Sequence, residues 1–277
     1  MTSGNYSIMH PTDFSDASGN AFLHALRMSL TLKAKLYISH VADREDDDPW
    51  RAFPHVRQTL ARWGLFDENE PPSQLAPKLG IEVLKVEIEP QDPVTGFSHY
   101  FLQHRTDLIV LATHGRDGLP RWLRPSIAEA MSRRAAAETL FISAQCRGFV
   151  DQQHGAIKLK RVLVPVDHHP PASAALRAAR QFSRMLTGEE AEIHLMHVGE
   201  EAPTLATTSE PSPAIALRKG NVVDGILQAA ADLDADLIVM STAGHQGILD
   251  ALRGSTTEQV LRKAPCPVLA VPAHYSR

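Results

Sequence analysis

Cysteine is nearly absent from this chain. Two thiols, Cys146 and Cys266, stand among 277 residues, too few for a disulfide framework, and a reducing cytoplasm is their simplest setting. Long hydrophobic runs are missing as well. The longest holds about five residues, against about 20 for a membrane-crossing helix, so no membrane partner is expected. The opening MTSGNYSIMHPTD has neither the basic nor the apolar region of a secretory signal. Charge of one sign is not in excess: 28 Lys and Arg against 32 Asp and Glu give a formal net charge of -4. With no basic stripe, nucleic acid is not an expected partner. Catalytic signatures are equally scarce. No GxSxG elbow, Ser-His-Asp arrangement or carboxylate pair emerges, so no catalytic residue is assigned. What remains is an ordinary globular composition, 43% hydrophobic and 22% charged, long enough for two domains.

The chain repeats itself. Residues 8–13, IMHPTD, match VLVPVD at 162–167, which sets Pro11 and Asp13 against Pro165 and Asp167. A small-residue, leucine-rich helical pattern follows each. KLYISHV, ending at Val41, matches EIHLMHV, ending at Val198; DLIVLATHG (107–115) matches DLIVMSTAG (236–244); TLFIS (139–143) matches VLAVP (268–272). Matches in the same order mark a duplicated domain. The seam falls near QCRGFVDQQHGAIKLK, polar and without a period, so domains are expected over 1–147 and 158–277. Within each half, short unbroken apolar runs alternate with helical patterns. Strands covered by helices on both faces read this way, which points to doubly wound α/β domains with parallel sheets.

The halves differ between their second and fourth strands. The first has room for an extra helix, about Trp50 to Phe66, and a Pro-rich link, PPSQLAP. In the second, GEEAPTLATTSEPSP has the look of a loop whose crossover helix is lost; it is either a lid or a plain surface loop.

One stretch stands out: STAGHQGILDALRGSTTEQVLRK, from Ser241. Ligands of open parallel sheets sit beyond the carboxyl ends of the strands where strand order reverses. Gly244, Gly247 and Gly254 let a backbone approach an anion, and Gly254-Ser255-Thr256 opens a helical pattern whose first N–H groups favour phosphate. Ser255 and Thr256 add hydroxyls, or could ligate a phosphate-bound Mg²⁺. The stretch is not a Walker A loop, having no Gly-Lys-Ser/Thr. A flexible link with an ordinary Ser/Thr helix cap remains the alternative.

The spacing Ser241-x2-Gly244-x9-Gly254-Ser255 resembles the Gly-x2-Gly-x9-Gly-Ser/Thr loop of the universal stress protein family, with serine in place of the first glycine. VPVD at strand one, HV closing strand two, ADLIVMST before the loop and APCPVLAVP after it are similar to that family too. The likeness covers nearly all of both halves and implies a tandem member. It implies two Rossmann-like (HUP-type) domains, each a five-stranded parallel sheet of order 3-2-1-4-5, packed as a pseudo-twofold pair through their fifth strands. It implies ATP as ligand, with Mg²⁺ as a companion ion. Asp167 would take the adenine or ribose and Val198 would pack on the adenine, while Gly244, Gly254, Ser255 and Thr256 would hold phosphates. Pro165, Val166, Met240 and Ser241 complete the set at the strand ends. Asp167 also has a plain reading as a turn or cap residue.

The matching loop of the first half, ATHGRDGLPRWLRPSIAEA, puts Pro125 at the glycine and Ile127 at the Thr256 position. Proline offers no N–H and cannot take positive φ, so the first half is expected to have lost this site. Among 14 histidines, His168, His169 and His245 fall near the expected cradle, where they could contact phosphate or join Asp167 on a transition metal. His194 and His197 could be satisfied core or edge residues. No spacing matches a strong metal motif, and no metal ligand is assigned. The expected function is a stress-response regulatory protein that binds ATP in its second domain and acts on an unidentified protein partner, with a homodimer compatible. A weak ATPase and a nucleotide-free scaffold are the alternatives.

Overall fold

The structure, a computed structural model, describes residues 6–41, 55–88, 104–113, 137–170, 172–205, 213–242 and 256–273. Strand β1 (Ser7–Pro11) leads into helix α1 (Asp16–Leu32) and β2 (Lys35–Val41). After α2 (Val56–Arg62) come a 3₁₀ turn (Pro72–Gln74), α3 (Leu75–Leu79), β3 (Glu82–Ile88), β4 (Leu108–Thr113) and β5 (Glu138–Ser143). The second half runs β6 (Arg161–Pro165), α4 (Ser173–Thr187), β7 (Glu192–Val198), β8 (Ile215–Arg218), α5 (Val222–Asp232), β9 (Leu237–Thr242), α6 (Thr256–Lys263) and β10 (Val268–Pro272).

The unbroken apolar runs do become doubly covered strands. β4 is buried along its whole length, and β6 and β9 are buried except near their ends. Each half is a parallel array of order 3-2-1-4-5, and the two join as one ten-stranded sheet, β3-β2-β1-β4-β5-β10-β9-β6-β7-β8. The junction is the antiparallel pairing of β5 with β10, Val268 opposite Phe141 and Ala270 opposite Thr139. Each fifth strand thus covers an edge that would otherwise offer unpaired backbone groups. One face carries a core containing Phe22, Leu26, Phe149, Phe182 and Leu186, under α1 and α4 of both halves; the other contains Phe141, Ile226, Val260 and Leu261.

The extra helix of the first half is α2, shorter than its expected span; positions 50–54 of that span lie outside the described residues. The Pro-rich link is helical rather than extended, since Pro72 fits the first turn of a helix. Between β7 and β8 no helix occurs among the described residues. The seam at 145–160 is not a loose tether. Phe149, Val150 and Leu159 are buried, and His24 of α1 fastens the segment: its Nε2 accepts the N–H groups of Phe149 (3.1 Å) and Val150 (3.3 Å) while Nδ1 donates to Asn20 O (2.8 Å). Gly148 permits this approach, since a Cβ there would stand 2.3 Å from His24 Cε1.

A buried aspartate seats each central strand. Asp107 accepts the Ser7 N–H at 2.9 Å, and Asp236 accepts those of Lys160 (2.8 Å) and Arg161 (3.0 Å). No helix among the described residues is long and apolar enough to cross a membrane.

Candidate functional site

In the second half the chain runs from β6 to β7 and β8 on one side, then returns to β9 and β10 on the other. Strand order therefore reverses between β6 and β9, and the carboxyl ends of β6, β7 and β9 share one edge. A cavity of about 210 Å³ opens there. Val166, Met196, Ile226 and Met240 give it buried apolar surface. Asp167, His197, Ser241, Thr242, Thr256 and Thr257 give it polar groups.

Seven residues chosen from the sequence for nucleotide binding line this one cavity, Pro165, Val166, Asp167, Val198, Met240, Ser241 and Thr256, and His169 lines it with them. Gly244, Gly254 and Ser255, and with them His245, lie outside the described residues. Each of the seven is placed by its element. Pro165 closes β6 opposite Met196, and Val166 continues the ladder by donating its N–H to Met196 O at 2.8 Å. Asp167 then leaves the sheet with its side chain 61% exposed, its Oδ1 accepting the His168 N–H at 2.7 Å. Val198 ends β7 and Met240 lies in β9. Ser241, which replaces the first glycine of the family loop, has a bond of its own: its Oγ accepts the Ala175 N–H in the first turn of α4 at 3.3 Å. Thr256 is the first residue of α6. The starts of α5 and α6 both border the cavity through Val222 and Thr256, so two positive helix ends favour an anion at its rim.

Sequence reasoning left His197 as a core or edge residue, yet it stands in the cavity wall. Its ring is buried, Nδ1 donates to Val166 O at 2.8 Å, and Asp167 Oδ1 lies 3.8 Å from the same nitrogen. The repeat held the signal, because His40 of the first half makes the same bond to Thr12 O at 2.9 Å. The first-half copy differs in the residues beside that histidine. Phe14, at φ 61, lays its ring 4.2 Å from that of His40. Asp13 turns to the helix start, Oδ1 accepting from Ser15 N (3.1 Å) and Ser15 Oγ (2.6 Å). Asp13 thus serves the turn that starts α1. The degenerate loop residues Pro125 and Ile127 lie outside the described residues.

Comparison with known proteins bears on this site. A family model described as the universal stress protein family matches residues 5–143 and 204–272. A universal stress protein of Mycobacterium bovis is 25% identical over 267 residues, covering 84% of this chain and 86% of that protein. One of Thermus aquaticus is 41% identical over 70 residues, 25% of this chain, and the match spans only about half (51%) of that relative's length. Among solved structures, a universal stress protein of Archaeoglobus fulgidus superposes with a TM-score of 0.60 at 17% identity, covering 97% of this chain and 99% of that one. A Pseudomonas aeruginosa protein of unknown function gives 0.57 at 16% identity, over 96% and 92%.

Proposed function

We propose that this chain, which belongs to the universal stress protein family, is a stress-response regulatory module that binds ATP through its second half, over the division 1–147 and 158–277. One observation carries the proposal: seven residues chosen for nucleotide binding line a single cavity at the reversal of strand order. At about 210 Å³ it is smaller than the 300–1,000 Å³ usual for small-molecule sites. It suits the nucleoside, with the phosphates passing Thr256; Gly244, Gly254 and Ser255 are the further phosphate contacts of the proposal.

Roles follow from chemistry. Val198 and Met240 offer apolar surface to the adenine, and the exposed Asp167 carboxylate can accept from the ribose hydroxyls or the adenine amine. Thr256 contributes a hydroxyl at the positive end of α6, where Mg²⁺ would ride on the phosphates. No base beside the phosphates is assigned, so regulation through occupancy, read by a protein partner or a second copy of the chain, is favoured over turnover.

The test is calorimetric titration of the full chain with ATP. Asp167→Ala and Thr256→Val should each weaken binding about tenfold, roughly 1.4 kcal/mol for a lost polar contact, with melting temperature unchanged for the exposed Asp167. Unaltered affinity in both would sink the assignment. Steady phosphate release that exceeds a Gly254→Pro control would move the protein to the ATPase class.

A further inference from the structure

We propose that Asp167, His168 and His197 form a transition-metal site at the rim of the cavity, with Zn²⁺ as the natural class of ion. One ligand atom from each lies within 4.8 Å of the other two. The carboxylate and the His197 ring adjoin, Asp167 Oδ1 lying 3.8 Å from Nδ1, the nitrogen bonded to Val166 O, while two ligands of a tetrahedral ion stand roughly 3.3–3.5 Å apart. Asp167 and His168 are exposed, so their rotamers can close the remaining gap. His197 is the fixed member: buried, perpendicular to the His168 ring at a centroid distance of 5.5 Å, and oriented by its bond to Val166 O. A backbone carbonyl that holds one ring nitrogen while the other ligates is the usual support of a metal-bound histidine. Ligation through Nε2 would keep that bond, and ligation through Nδ1 would exchange it for the metal.

The ligand set selects the ion. Two imidazoles and one carboxylate suit zinc and its neighbours rather than Mg²⁺ or Ca²⁺, which prefer all-oxygen cages. Three protein ligands leave a fourth position for water or another donor.

The first half supplies an internal control. His40 keeps the carbonyl bond of His197, but Phe14 occupies the place of His168 with its ring tilted against that of His40, and Asp13 is bonded to Ser15. A two-residue difference between copies of one architecture thus removes the site from one half. Asp167 is shared with the proposed nucleotide contacts, so the metal is tested in the nucleotide-free chain and through residues given no nucleotide role.

The full chain, free of nucleotide, is titrated with Co²⁺ as spectroscopic probe and then with competing Zn²⁺. One equivalent of Co²⁺ should develop visible d–d absorption of a four- or five-coordinate site, and Zn²⁺ should displace it. His168→Ala, at an exposed position, should cost at least about tenfold in affinity. His154→Ala, at an exposed histidine that pairs with Asp151, should cost nothing. Gly199→Ala probes the buried ring without deleting it, since a Cβ there would stand 2.3 Å from His197 Nε2; it too should weaken the metal. Absence of one-equivalent binding, or binding equally tight in His168→Ala and Gly199→Ala, overturns the proposal.

Discussion

Two buried imidazoles set how this protein responds to acid. His10 donates to Val110 O at 3.0 Å and faces Ser18 Oγ at 3.4 Å; His24 holds Asn20, Phe149 and Val150. Loss of hydration pushes each ring from 6.5 down to about 4, against smaller opposing effects from the bonded carbonyls and, for His10, Asp13. Above pH 6.5 both are neutral in folded and unfolded chains alike, and their contribution is intact. Between pH 6.5 and 4 the unfolded chain takes up protons that the fold refuses, so stability drops as pH falls, on the order of 3 kcal/mol per ring. Urea unfolding at pH 7.5 and pH 5 should show the midpoint falling, with a shallower fall in His24→Gln. An unchanged midpoint would refute this. The thiols behave otherwise: burial raises Cys146 to about 11 and pushes Cys266 up as well, which leaves both unreactive at neutral pH.

At the scale of elements, strands were legible and junctions were not. Continuous runs such as Leu108–Thr113 announce a strand because helices on both faces remove the need for alternation. The strand ends, and so Pro165, Val198 and Met240, followed from the repeat. The segment 145–160 concealed its order because its fastening is a histidine bonding to backbone N–H groups, which leaves no side-chain pattern to read. His197 was obscured likewise: its partners are a carbonyl at Val166 and residues some thirty positions away. Asp107 and Asp236 could have been found, since each opens the same DLIV motif in its half. The seam makes its own prediction. Gly148→Ala puts a Cβ into His24 and should cost about 1–3 kcal/mol of stability, read by denaturant midpoint. A neutral result would mean that α1 does not hold the link in solution.

The whole molecule is two copies of one design, fused edge to edge and then made unequal. Antiparallel pairing of β5 and β10 gives one continuous sheet, an arrangement that the exposed fifth-strand edges foretold but that no residue pattern registers directly. Inequality sits at the strand ends, where an open cavity beside Asp167, His168 and His197 contrasts with a Phe14 ring against His40. The central claim is therefore one of number: one nucleotide per chain, in the second half. Equilibrium dialysis of ATP against the full chain, beside Gly254→Pro, tests it most directly, because that change copies Pro125 of the first half. The expected result is one ATP per chain, abolished by Gly254→Pro while the fold and melting temperature persist. Two per chain, or equal binding by both proteins, would contradict it.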